Sequence, residues 1–569
     1  MSKFLKTLTS SVKRKSWTKE EDSRTLLGNS AEEHDQVNGG CTNQTCLNSA
    51  VQCGANPEEH AKSVMSILRV VLLEERRSQE LKEAAEQVKQ WATLNSVTLE
   101  GRNRGYPQRW LREYLIIVKL SVEKHFPALP PDWAENSYNE TVEYLKNAKR
   151  SVCMKLTGLA DVLEDAGLLS YLVDSYNHRL FAVLEILMDR SSSMKEALFL
   201  LQWVTQTYVS HGSNIKDDVL RVSDPLLLTG WIEKSKQKIL TLYQDNISTA
   251  LQGVLLYNEA KCDYSKEEEL IKIHLDVLQC LNGAVEETKT ISPILMTAVQ
   301  QICCDELHVF VQRYVNTEKK QLEVQKPSET YLLHLFRLTN TCRHLRFYAL
   351  TIMEADNNRD SATVQMLKNM EAQVSVCLQK WISGIAEEHL KKYFEEQDAH
   401  LNRLLENIRK IFTSLVQIGN HGEETKTDIV NVAYQSVTRA YLRCLVKRKC
   451  KKLEKRWGVV DKQMMRDAEL FHGVFLKQGT SCNGQKTFLL KMSEIVGTTD
   501  VESLKLDCAA LCKNFPKESK EHLPALLKWK RRLSNSQRNK ILAASKEAFQ
   551  NGDDFTTCSQ WWSYCLCCT

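Results

Sequence analysis

Apolar residues in this chain recur every three or four positions, stretch after stretch, rather than alternating. Between Trp110 and Lys124, the positions Trp110, Tyr114, Ile117 and the pair Leu120/Ser121 fall on one helical face. A second stripe runs through Val142, Leu145, Ala148, Val152, Leu156, Leu159 and Leu163. Phe126, Pro127, Pro130, Pro131 and Trp133 separate the two and make a corner, because proline cannot donate to a helix ladder and restricts its predecessor. Ser137, with Glu140 three residues on, is a capping-box signal for the second helix. No residue here suggests catalysis; the pattern is one of packing.

The same style continues along the chain. Asn56-Pro57-Glu58-Glu59 combines a capping residue, a proline suited to the first helical position and a reciprocal capping glutamate. The spacing predicts one long helix from there to about Leu99, with a solvated face of mixed charge between Glu74 and Glu86. Helices are expected over Leu168–Met188 and Met194–Val209, and new ones begin at Asp224-Pro225, Ser292-Pro293 and Pro327-Ser328. Leu367–Leu415 is long, with a break near Gln397-Asp398, and Gly419–Glu424 is a loop. Thr427 to about Trp457 is predicted as one helix on the stripe Val430, Tyr434, Val437, Tyr441 and Leu445. Shorter helices fill Lys462–Gln550.

Composition agrees with an all-α fold. Only 21 Gly and 10 Pro occur in 569 residues, about half the usual share, and a β-rich chain needs more turn residues. Antiparallel helices of about 30 residues, gathered into consecutive stacked bundles, would give an elongated rod on the order of 100–150 Å. Three regions are expected: a basic tail and polar linker over 1–54, a helical body over 55–551, and a Cys/Trp-rich tail over 552–569. The 19 cysteines are scattered, and the first apolar run is broken by Lys3 and Lys6, so the expectation is reduced thiols in the cytosol. The apolar stretch Leu168–Met188 carries Asp174, His178, Arg179 and Glu185 and reads as a core helix, with no segment expected to span a bilayer.

Candidate chemistry is sparse. No phosphate-binding glycine loop, HExxH or nucleophile elbow occurs, and the 14 histidines are dispersed, so no enzyme, cofactor or metal site is expected. Cys41, Cys46 and Cys53 lack a fourth ligand, while Cys303-Cys304 and the pair Cys508/Cys512 read as structural thiols. Basic clusters are more informative. Lys3, Lys6, Lys13, Arg14 and Lys15 accompany Phe4, Leu5 and Leu8 on one face if the segment is helical. At roughly 1 kcal/mol for each cation near an anionic leaflet, that suffices for reversible membrane docking. A solvated tail and a mitochondrial presequence are the rival readings. A second cluster, Lys447, Arg448, Lys449, Lys451 and Lys452, would form a basic collar on a helix end, where the helix dipole alone is a sufficient reason for cations. A third is Lys528, Lys530, Arg531 and Arg532 around Trp529. No nucleic-acid module accompanies it, so an acidic protein surface or a lipid is the expected partner ahead of nucleic acid. Near the C-terminus, Cys565, Cys567 and Cys568 beside Trp561 and Trp562 suggest either an acylated interfacial end or a terminus with no role.

The run REYLIIVKLSVEKHFPALPPDW, followed by NETVEYLKNAKRSVCMKL, resembles the third subunit of the exocyst vesicle-tethering complex, and more closely the exocyst-component-3-like proteins of the M-Sec branch. DPLLLTGWIEK (Asp224–Lys234), SPILMTAVQQICCDEL (Ser292–Leu307), LHLFRLTNTCRHLR (Leu333–Arg346), KTDIVNVAYQSVTRAYLRCLV (Lys426–Val446) and LPALLKWKRRLS (Leu523–Ser534) extend the likeness over roughly Ala61–Ala548. It implies a helical rod of consecutive bundles and a non-enzymatic role in vesicle tethering and exocytosis at the plasma membrane. It further implies exocyst subunits and SNARE proteins as partners, and a cytoplasmic location at the inner face of that membrane. In the M-Sec branch it implies acidic phosphoinositides at the N-terminal basic stretch. There it also implies a Ral GTPase contact in the C-terminal region, during formation of membrane protrusions such as tunnelling nanotubes. A helical scaffold with no membrane role remains the alternative of another class.

Overall fold

The computed structural model describes residues 57–74, 81–97, 106–129, 138–165, 167–208, 224–260, 267–352, 362–395, 399–417, 422–479, 483–530 and 533–550. All regular structure among them is helical. In chain order the helices are α1 (Pro57–Glu74), α2 (Leu81–Val97), α3 (Tyr106–His125), α4 (Tyr138–Asp165), α5 (Leu169–Arg190), α6 (Met194–Tyr208), α7 (Pro225–Ala260), α8 (Glu267–Lys289), α9 (Pro293–Val324) and α10 (Glu329–Ile352). They continue as α11 (Ala362–Tyr393), α12 (Ala399–Gln417), α13 (Glu423–Val446), α14 (Cys450–Trp457), α15 (Val460–Lys477), α16 (Gly484–Gly497), α17 (Val501–Asn514), α18 (Pro516–Trp529) and α19 (Asn535–Gln550). The N-terminal basic residues, Arg531, Arg532 and the C-terminal cysteines lie outside the described residues.

The chain divides into two units at Ile117/Val118, inside α3. In the first unit, α1 and α2 pack on each other through Leu68, Leu72, Ala85 and Val88. This corrects the single long helix expected to Leu99: two helices that bury each other cannot be collinear. On α3 the expected stripe is buried at Trp110, Tyr114, Ile117 and Ser121, while Leu120 points outward.

In the second unit the long helices α7 and α11 each belong to two successive groups. The start of α7 meets α5, with Trp231 edge-on to Phe181 and Lys234 paired to Glu185. Its later turns meet α8 and α9, where Tyr243 donates to Glu287 and Asn258 to Glu318. Next, α9 and α10 pack against α11, through His308–Thr363 on one side and Arg346–Glu371 on the other. Then α11 packs along α13, which continues onto α15, α16 and α18. The proline signals hold: the Asp224 side chain accepts from the Leu226 N–H, and those of Ser292 and Ser328 from Leu295 and Tyr331. Before α13, Gly422 has φ 72°, and a Cβ there would lie 2.8 Å from the Phe336 ring, so this tight entry needs glycine.

A polar network with a buried centre joins α7, α9 and α10. Glu318 receives Arg337 at 3.0 Å and Asn258 at 3.1 Å, and lies 2.6 Å from His334 Nε2. Arg337 also donates to Asn258 Oδ1 at 2.6 Å, and His334 Nδ1 faces Gln325 Oε1 at 2.6 Å. Burial works against the Glu318 charge, but His334 and Arg337 outweigh it and hold the carboxyl below its ordinary range. Among the described residues, α9 alone is long and apolar enough to cross a membrane. Glu318 in its interior, and its packing on α7, α8 and α11, make it a core helix of this unit.

Candidate functional site

The basic cluster after α13 does not continue that helix, contrary to the reading from spacing. Lys449 is extended at φ −69° and ψ 123°, and α14 starts afresh at Cys450. The carbonyl of Arg448, which a continuing helix would use internally, accepts the indole N–H of Trp529 at 2.5 Å instead. That bond places the end of α18, with Lys528 of the third basic cluster, beside the α13–α14 corner and the second cluster.

The inner side of the corner is held by specific contacts. Arg448 pairs with Glu395, just past α11, and Arg456 donates to the Tyr393 carbonyl at 2.6 Å. Tyr393 and Tyr441 both donate to the buried Asp467 carboxylate, at 2.8 and 2.7 Å, and Gln463 adds a bond at 2.9 Å. These hydrogen bonds hold a buried carboxylate where α11, α13 and α15 meet, beside the rings of Phe394, Trp457 and Phe471. Sequence reading missed Asp467, since a single acid four residues after a glutamine carries no signal by itself.

The outer side carries Lys447, Lys449, Lys451, Lys452, Lys455 and Lys528, all exposed. None of them is in an ion pair among the described residues. Lys530 is different and corrects the expectation of a surface cation. It is 8% exposed, and its Nζ turns inward to the carbonyls of Ile495 (2.8 Å) and Thr498 at the C-terminal end of α16. There it satisfies carbonyls that the helix leaves unpaired.

One turn before the corner, Arg439, Arg443 and Lys447 repeat at four-residue spacing on one face of α13. Both arginines pair with Glu521 of α18, at 3.3 and 2.7 Å. Burial opposes the Glu521 charge, and Arg443, His522 and Arg439 outweigh it. Beside this pair, Leu442, Arg443, Val446, Met492, Glu521, His522, Ala525 and Leu526 line a cavity of about 90 Å³. The spacing of Arg439, Arg443 and Lys447 was visible in the sequence; the cavity needs three helices and was not.

Cys303 and Cys508 are buried, and burial pushes both thiols up to about 12. No cluster of metal-binding residues occurs among the described residues. His344 stacks on His274 with ring centres 4.3 Å apart, and burial lowers its pKa.

The profile of the family described as exocyst complex component Sec6 matches residues 49–535. The chain belongs to the Sec6 family. Tumor necrosis factor alpha-induced protein 2 of Mus musculus is 19% identical over 455 residues, which cover 76% of this chain and 65% of the mouse protein. The crystal structure of M-Sec superposes with a TM-score of 0.61 at 17% identity, covering 87% of this chain and 92% of that one. At that identity the likeness establishes a shared helical fold. This Sec6-family member is therefore all-α, with the exocyst-component resemblance extending over most of its length.

Proposed function

We propose that this Sec6-family chain is a non-enzymatic adaptor in exocyst-linked vesicle tethering. It docks reversibly at the inner face of the plasma membrane through Lys3, Lys6, Lys13, Arg14 and Lys15, and engages exocyst subunits and SNARE proteins through its helical body. The observation that carries this reading is the family match over residues 49–535. The convergent cations Lys447, Lys449, Lys451, Lys452 and Lys528 give that body a surface suited to acidic partners or acidic phosphoinositides.

A second reading is favoured by the M-Sec superposition, which covers 92% of that chain. In it the protein acts beside the exocyst, with a Ral GTPase, in the formation of membrane protrusions. Affinity capture from cells distinguishes the two, using the full chain beside a form lacking Met1–Lys19. Several exocyst subunits and SNAREs recovered in stoichiometric amounts support the first. Ral and membrane recovered with little exocyst, and partly lost on truncation, support the second. Recovery of none of these from either form would reject both.

A further inference from the structure

We propose that the cavity between α13, α16 and α18 is a docking site for an acidic peptide segment of a partner protein, which inserts one branched aliphatic side chain. Four features of the lining point to that occupant. The floor is apolar, made by Leu442, Val446, Met492 and Leu526. Its volume of about 90 Å³ is below that of a cavity of about 150 Å³ able to take benzene, and suits a single aliphatic side chain. Arg443, Glu521 and Ala525 are exposed at its mouth, so a chain segment has access.

The third feature is His522. It is 5% exposed, it lines the cavity, and its Nε2 has no hydrogen-bond partner among the described residues. Glu521 Oε1 is 3.6 Å away, too far for a hydrogen bond. Leaving a buried polar atom unmatched is costly, and an occupant that brings a hydrogen-bonding group recovers that cost. Burial, with Arg439 and Arg443 nearby, pushes the imidazole down to about 4, so it is neutral near pH 7. A neutral ring edge suits a peptide backbone, which offers both N–H and C=O within one residue of an inserted side chain.

Charge is the fourth. Arg439 and Arg443 share the single carboxylate of Glu521, and Lys447 follows one turn later. Exposed Lys449, Lys451 and Lys528 continue the positive field beyond it. A segment with carboxylates beside its aliphatic residue meets cations on leaving the cavity, which favours fast and selective encounter. An apolar ligand without acids leaves that field unused.

The test titrates the full chain with a dye-labelled, end-blocked octapeptide of six glutamates around a central Leu-Leu pair, at two salt concentrations. Two control peptides replace the leucines with alanines or the glutamates with glutamines. The expected result is saturable binding that weakens at least about tenfold with either control peptide and falls with added salt. Ala525→Trp fills the cavity mouth from an exposed position and should reduce binding by a similar factor. The peptide controls leave the protein untouched, so the test stands even if that variant misfolds. Absence of binding overturns the proposal. So does equal binding of the alanine peptide, which would reduce the surface to bare charge. Vesicles containing an acidic phosphoinositide form a third arm: if they bind, and Ala525→Trp abolishes this while peptide binding is unchanged, the cavity belongs to a lipid and the proposal fails.

Discussion

Arg337 and Glu318 form an ion pair shut off from water, 3.0 Å apart with exposures of 1% and 0%. Asn258 touches both, so one ion pair ties α7, α9 and α10 together. Arg337→Met would leave Glu318 charged and buried without its cation. The expected loss is about 3–5 kcal/mol, read from urea or thermal unfolding of the second unit. A loss below about 1 kcal/mol would show that His334 and Asn258 suffice to hold the carboxylate.

His522 makes stability depend on pH. Its pKa falls from 6.5 to about 4 on folding, first through burial and then through Arg439 and Arg443, with Glu521 opposing. Between those values the unfolded chain binds the proton and the folded chain does not. The contribution is therefore complete above about 6.5 and is lost as pH falls towards 4, by up to about 3 kcal/mol. His522→Gln should flatten that part of the profile. Equal slopes for both proteins between pH 7.5 and 5, both values set by the roughly 6.5 reference, would place the titration elsewhere.

Lys530 and its exposed neighbours should separate two properties. Lys530→Met removes a charged donor from the carbonyls of Ile495 and Thr498, and is expected to cost about 1.5–3 kcal/mol of stability. Binding to anionic surfaces should stay unchanged. Lys451→Glu with Lys452→Glu should do the reverse: stability within about 0.5 kcal/mol and weaker capture on acidic vesicles or peptides. Thermal melts and co-sedimentation on the same preparations provide both readouts.

Trp529→Phe keeps a ring in the buried slot but removes the bond to the Arg448 carbonyl. The expected cost is about 1–2 kcal/mol. Hydrogen exchange should increase first at Lys449–Cys450, where the chain leaves one helix and enters the next. Unchanged exchange there would mean that Arg456 and Leu453 fix the corner unaided.

Helix type and most helix starts were legible because they rest on local chemistry. A capping side chain next to a proline signals a start from local chemistry alone: Asp224 and Ser292 stand before one, Ser328 after one, and each caps its helix. The two misjudged helices share a cause. Nothing local ends a helix at Glu74 or at Val446, where the residues are good helix formers. The end is imposed by partners, α2 packing back on α1 and Trp529 claiming the Arg448 carbonyl. Lys530 was misplaced for a related reason: a lysine in a basic run reads as solvated until the open end of α16 is known to lie beside it. Lys447, Lys449, Lys451, Lys452 and Lys528 are exposed, as a basic run suggests when no distant partner intervenes.

Long helices that serve two neighbouring groups have a bearing on synthesis. When α7 has left the ribosome, its first turns can close on α5 and α6, but Tyr243, Ile247 and Leu251 still await α8 and α9. The same holds for α11 ahead of α13. At each of these stages a growing chain exposes a half-dressed apolar helix, and the next segment is its own remedy. Translation pauses placed after α7 or α11 would prolong the exposure and invite chaperones or aggregation.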